Sequence, residues 1–145
     1  MGMQEIKEKD LEKIAIDLIE IINNKKLKKA TVVALYGDLG SGKTTLTQIV
    51  CKKFGIKNKI ISPTFVIMKK YIIQDEKFET LIHIDAYRLE KKEEMTHLGW
   101  DELISNNKNI MIVEWPENIK ELIPKDSIVI KLSHIDNDTR GIAFE

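Results

Sequence analysis

Apolar side chains recur along this chain in two rhythms. Between residues 10 and 22 they fall at Leu11, Ile14, Ala15, Leu18, Ile21 and Ile22, the three-to-four spacing that lines one face of a helix. Asp10 stands where an N-cap belongs, and Asn23-Asn24 with the lysine-rich run 25–29 ends the element. Residues 30–36 form a short apolar, β-branched run, the pattern of a buried strand. Helical spacing returns over 44–54, at Leu46, Ile49, Val50 and Phe54, and stops near Gly55. Ile60-Ile61 predicts a short strand leading into Ser62-Pro63-Thr64. The β-rich runs 65–73 and 78–84, parted by the polar stretch 74–77, predict a hairpin. Residues 91–97 read as a polar helix closed by Leu98-Gly99, residues 101–104 as a turn and residues 106–109 as a loop. Ile110-Met111-Ile112-Val113 is wholly apolar, as a strand at the centre of a parallel sheet must be. A short helix over 119–123 ends at Pro124, and the late runs 127–132 and 141–144 predict an antiparallel edge. Helices interleaved with apolar strands make the chain α/β: a mostly parallel central sheet with antiparallel edge strands, flanked by helices. With no repeat and no low-complexity linker, residues 1–145 read as a single domain.

Composition narrows this only slightly. The chain has 145 residues, 43% of them apolar, enough for one core. Its 23 basic and 23 acidic residues cancel, so global charge recommends no polyanionic partner, and any RNA contact must be local or come through another protein. The single cysteine, Cys51, excludes an intrachain disulfide, suits a reducing compartment and reads as a packed core residue. No apolar run reaches the length of a membrane span and no signal peptide opens the chain, so a cytoplasmic location without membrane contact is expected. The only arginines are Arg88 and Arg140. In a lysine-rich chain these mark positions where a planar, bidentate group would be wanted.

Candidate chemistry concentrates at Gly37-Asp38-Leu39-Gly40-Ser41-Gly42-Lys43-Thr44, which fits G-x-x-x-x-G-K-[ST] between a predicted strand and a predicted helix. Such a loop turns backbone N–H groups onto phosphates, and the helix N-terminus behind it adds partial positive charge. Lys43 would bridge the β- and γ-phosphates, and the Thr44 hydroxyl would take one site on Mg²⁺. A second metal-side carboxylate is expected at the end of a buried strand. Glu114, delivered by the apolar run 110–113, is the stronger candidate; Asp85, at the end of Leu81-Ile82-His83-Ile84-Asp85, is the other. His83 and Asp85 share one strand face; they could form one polar site in which His83 supports Asp85, while for His83 alone a structural place in the core is the stronger reading. Arg88, three residues further on, could pair with Asp85 or reach phosphate. Thr64 offers a hydroxyl where P-loop proteins sense the γ-phosphate, and Trp115 could stack on a base or pack under the loop.

Taken together, Gly37 to Thr45, Ser62-Pro63-Thr64-Phe65, His83-Ile84-Asp85-Ala86-Tyr87-Arg88-Leu89 and Glu114-Trp115-Pro116-Glu117 closely resemble the bacterial TsaE (YjeE) family, in this order and at these separations. The resemblance runs from the first helix to the last strand. It implies a P-loop NTPase-like fold and an ATPase of tRNA threonylcarbamoyladenosine biosynthesis that uses ATP, yields ADP and requires Mg²⁺. It also implies two partners, TsaB and TsaD. TsaD transfers a threonylcarbamoyl group from its AMP adduct to the tRNA adenosine 3′ of the anticodon, and ATP hydrolysis supports repeated turnover of the TsaB–TsaD complex. By motif, residues Gly37, Asp38, Leu39, Gly40, Ser41, Gly42, Lys43, Thr44 and Thr45 contact the nucleotide. Thr64 belongs to a switch-like segment, Trp115 lies near the nucleotide, and Arg140 is a further contact. Thr44, Glu114 and Asp85 hold or surround Mg²⁺, and Lys43, Asp85 and Glu114 are the catalytic set. The chain departs from the family at Lys9-Asp10-Leu11-Glu12, where a nucleotide-touching threonine is common, and at Ser41 and Ala86.

Overall fold

The computed structural model describes residues 2–145, which build one seven-stranded sheet with helices on both faces. In chain order the elements are β1 (Gln4–Lys7), α1 (Leu11–Asn24), β2 (Thr31–Tyr36), α2 (Lys43–Lys53), β3 (Met68–Ile72), β4 (Thr80–Asp85), α3 (Lys92–His97), α4 (Trp100–Ile104), β5 (Asn109–Glu114), β6 (Ile128–His134) and β7 (Thr139–Phe144). Two 3₁₀ segments, Glu8–Asp10 and Pro116–Leu122, join them. The sheet order is β1-β7-β6-β2-β5-β4-β3. Its centre, β6-β2-β5-β4, is parallel; β7 joins β6 antiparallel, and β1 and β3 form the two edges, each antiparallel to its neighbour. Among the described residues no helix is long and apolar enough to cross a membrane.

The apolar runs occupy the centre because both sheet faces are covered there. Every residue of β5 is buried, and β2 is buried from Thr31 to Leu35. Period-two alternation then sorts the side chains. Val33, Leu35, Leu81, Ile110 and Ile112 join Leu11, Ile14, Leu18, Leu46, Val50 and Phe54 in the layer beneath α1 and α2. Val32, Ile82, Ile84, Met111 and Val113 face Met95, Trp100 and Ile119 in the layer beneath α3, α4 and the second 3₁₀ segment. Leu81, His83 and Asp85 therefore run along one face of β4, and Ile110, Ile112 and Glu114 along the same face of β5. Towards the strand ends that face changes from apolar to polar just where α2 begins.

Several expectations need correction. Ile60-Ile61 is no strand: Ile60 is buried, Ile61 is exposed, and the Ile60 carbonyl accepts from the Gln48 side chain at 2.8 Å. Asp10 stands at the N-cap position of α1 as expected, but its side chain makes no capping bond to the helix; its carboxylate accepts from the Lys7 N–H at 3.2 Å and closes the 3₁₀ turn before it. The expected turn at 101–104 is the short helix α4, seated by the buried Trp100. The segment expected to be a helix over 119–123 is the 3₁₀ stretch Pro116–Leu122. The late strands are antiparallel to each other, but neither is the rim. β6 joins the parallel core and β7 is covered by β1, a strand that the sequence pattern did not reveal.

Candidate functional site

The glycine loop follows β2 and ends at the first turn of α2. Gly42 adopts φ +103°, a left-handed conformation that an L side chain rarely takes. A Cβ on Gly37 would lie 2.5 Å from Ser41 Oγ and 2.6 Å from the Leu132 carbonyl oxygen, so the loop passes too close to β6 for any side chain there. Ser41 N–H donates to the Asp38 carbonyl at 3.2 Å, and Leu46 N–H donates to the Gly42 carbonyl at 2.9 Å, opening α2. The Lys43 ammonium folds back to donate to the Gly37 carbonyl and stands 3.9 Å from the centroid of the Trp115 ring. Burial pushes its pKa below the ordinary lysine value, while the carboxylates of Glu114 and Asp85 oppose that shift.

Glu114 and Asp85 are register partners at the ends of β5 and β4, and each is only 3% exposed. A buried carboxylate needs partners, and both have them. Glu114 Oε2 accepts from His83 Nε2 at 2.5 Å, and Glu114 Oε1 accepts from Thr44 Oγ1 at 3.5 Å. Asp85 Oδ2 accepts from Thr64 Oγ1 at 2.7 Å and from Ser62 Oγ at 3.3 Å, while Oδ1 accepts from the Tyr87 N–H at 2.9 Å. The segment 62–64 is thus tied to the end of β4. Trp115 follows Glu114 in a left-handed conformation (φ 57°, ψ 47°), which swings its indole against Tyr87, with ring centroids 5.0 Å apart.

A cavity of about 280 Å³ opens over these groups, lined by Leu39 to Thr45, Ser62, Thr64, Asp85, Glu114, Trp115, Glu8 and Arg140. Gly37 and Asp38 shape the loop without lining the cavity. Arg140 is 8% exposed; it donates to the carbonyls of Asp136 (2.7 Å) and Thr139 (3.1 Å) and to Glu8 Oε2 at 3.5 Å. Its Nε and the Ser41 hydroxyl are buried without a partner among the described residues. Two expected pairings are not formed. His83 supports Glu114 and not Asp85: its Nε2 reaches diagonally across to β5, while the Asp85 carboxylate is taken up by Thr64, Ser62 and the Tyr87 N–H. Arg88 stacks on the exposed Phe65 ring at 4.5 Å and does not line the cavity. The sequence reading missed Glu8, which reaches the cavity only because β1 pairs with β7. No spacing within the chain signals a contact between positions 8 and 140.

The donor set suits a hard cation. A hydroxyl at Thr44 and a carboxylate at Glu114 face each other, both oxygen ligands of the kind Mg²⁺ takes. Among the described residues no group of three or more His, Cys, Asp and Glu is placed to hold a metal. This accords with the usual Mg²⁺ site, which one or two carboxylates share with water and substrate phosphate. Ser41 Oγ and Arg140 Nε add unpartnered donors along the same cavity.

A parallel core with a glycine loop between a central strand and the helix after it defines a P-loop NTPase-like α/β protein. The family model of the threonylcarbamoyl adenosine biosynthesis protein TsaE matches residues 6–142, and the chain belongs to that family. It is 41% identical over 115 residues to the TsaE protein of Rickettsia bellii, covering 79% of this chain and 76% of the relative. It is 37% identical over 117 residues to that of Bacillus subtilis, covering 81% and 70%. The match to the Rickettsia conorii protein, 39% identical over 115 residues and 79% of this chain, spans 63% of that relative, a little under two thirds of its length. The crystal structure of Bacillus YdiB superimposes with a TM-score of 0.67 at 27% identity, covering 99% of this chain and 86% of that one.

Proposed function

We propose that this chain is an Mg²⁺-dependent ATPase of the cytoplasm, acting as one domain in tRNA threonylcarbamoyladenosine formation. It supports turnover of a TsaB–TsaD transferase complex and does not itself transfer the threonylcarbamoyl group. What supports this reading is a convergence: Lys43 and Thr44 from α2, Thr64 with Asp85 from β4, and Glu114 from β5 all line one cavity. In this reading the loop N–H groups and Lys43 neutralise the triphosphate. Thr44 and Glu114 hold Mg²⁺, with Asp85 in its surrounding shell, and the ion supplies Lewis-acid polarisation of the phosphoryl oxygens. Asp85, with Thr64 hydrogen-bonded to it, orients the attacking water. Arg140 and Trp115 contact the nucleotide, and tRNA is reached through the partner complex.

Arg88 is engaged with Phe65, away from the cavity. Arg140 reaches the cavity, but its terminal nitrogens are held by the Asp136 and Thr139 carbonyls and by Glu8, so neither arginine stands ready as a finger, a group worth about 10³–10⁵-fold in rate. Slow hydrolysis alone and stimulation by TsaB–TsaD are expected. The decisive test is reconstituted tRNA modification over many turnovers. With the wild-type chain, product should exceed one equivalent per TsaB–TsaD complex. Lys43→Ala should stop turnover through lost binding, and Glu114→Ala should bind ATP yet fail to sustain turnover. Full turnover with Glu114→Ala would replace hydrolysis by a nucleotide-gated adaptor role.

A further inference from the structure

His83 has no part in the chemistry just described, yet it is completely buried beside that chemistry. It stands between Ile82 and Ile84 on β4 and opposite Ile112 on β5. A ring nitrogen, Nδ1, has no partner among the described residues. An apolar side chain of similar size would fill this place without the cost of a buried, unpaired polar atom. The one polar contact that compensates is the 2.5 Å hydrogen bond from Nε2 to Glu114 Oε2.

That bond divides the Glu114 carboxylate. Oε2 is occupied by the imidazole, and Oε1 is the oxygen that faces Thr44 Oγ1. The terminal torsion of a glutamate is broad and weakly restrained by itself. The apolar neighbours offer the carboxylate no directional contact that would set its plane; the His83 N–H does. We propose that His83 is a positioning residue for Glu114: it fixes the plane of the carboxylate, holding one oxygen and leaving the other beside Thr44, so that divalent-cation affinity depends on it while metal-free nucleotide affinity does not. The inference rests on the reading of Glu114 as the metal-side carboxylate. Partners of this kind, hydrogen-bonded to a ligating group, typically change metal affinity by about 10–100-fold when removed.

The test measures Mn²⁺ binding by electron paramagnetic resonance in the presence of ADP, and ADP binding without metal. The variants are His83→Leu, Glu114→Gln and the double variant. His83→Leu should weaken Mn²⁺ binding by about 10-fold or more and leave metal-free ADP affinity within about twofold of wild type. In the Glu114→Gln background the same change should have no further effect, because a residue acting through Glu114 cannot act without it. His83→Gln, which keeps an N–H donor of similar reach, should recover most of the affinity. If His83→Leu does not fold, His83→Asn, too short to reach Oε2, carries the same expectation. Unchanged Mn²⁺ affinity in the folded variant overturns the inference. So does a parallel loss of metal-free ADP binding, or an undiminished effect in the Glu114→Gln background. Unchanged Mn²⁺ affinity in Glu114→Gln itself would remove the metal reading of Glu114 and this inference with it; a loss there but none in His83→Leu would remove the inference alone.

Discussion

Lys43 carries a tension that a nucleotide would relieve. Its ammonium is held by the Gly37 carbonyl and the Trp115 face, burial pushes its pKa down, and Glu114 and Asp85 only partly offset that shift. A triphosphate alongside favours the charged form and moves the pKa upward. ATP binding should therefore take up a proton wherever the solution pH lies above the lowered value, and affinity should fall as pH rises through it. Calorimetry in two buffers of different ionisation enthalpy checks this: proton uptake should grow as the pH is raised from neutral towards the ordinary lysine value. Lys43→Arg, whose guanidinium does not titrate, should abolish the uptake; no uptake in the wild type would contradict the assignment. Lys43, Thr44 and the carboxylates at 85 and 114 were legible because each is fixed by its own strand or loop. The partner of His83 was not, since a cross-strand neighbour depends on sheet order. Arg88 was misassigned for a related reason: nothing near it in sequence announced that Phe65 would offer an exposed ring.

Among the elements, β2 and β5 were readable because burial on both faces demands unbroken apolar runs. β1 was not, because Gln4, Glu5 and Lys7 are exposed and only Ile6 is half-buried. A rim strand needs little more than a free backbone edge beside it. Ile60-Ile61 misled in the opposite sense: Ile60 is satisfied by the core and a glutamine side chain, Ile61 is exposed, and neither has a strand partner. β1 nevertheless has a definite role. Its register pairs Lys7 with Thr139, Ile6 with Arg140 and Gln4 with Ile142, so it braces the strand that carries Arg140. Deleting residues 2–7 should accelerate amide hydrogen exchange in β7 by about tenfold or more, while β5, at the sheet centre, keeps its protection. Unaltered protection in β7 would show that β1 contributes nothing to the brace.

Across the whole molecule, the layer beneath α1 and α2 contains the fully buried Cys51, whose thiol burial pushes up to about 12 from the model-peptide value of 9.0. A neutral thiol favoured by the fold contributes stability that is complete below pH 9 and is lost as pH rises from there towards about 12. Modification by a thiol reagent at neutral pH should then report only opening of the molecule. ATP with Mg²⁺ at about 100 times its Kd stabilises the folded state by about 2.7 kcal/mol and should slow labelling about 100-fold; equal rates with and without nucleotide would place Cys51 in a locally mobile region. The two outermost strands have a consequence of another kind. β1 presents Glu5 and Lys7, and β3 presents Lys69 and Lys70, all exposed. A further strand hydrogen-bonding to either rim would bring charged side chains into its ladder, a common defence against edge-to-edge growth. Visiting proteins are thereby steered away from backbone pairing and towards the loops and helices, where association can be made and undone without extending the sheet.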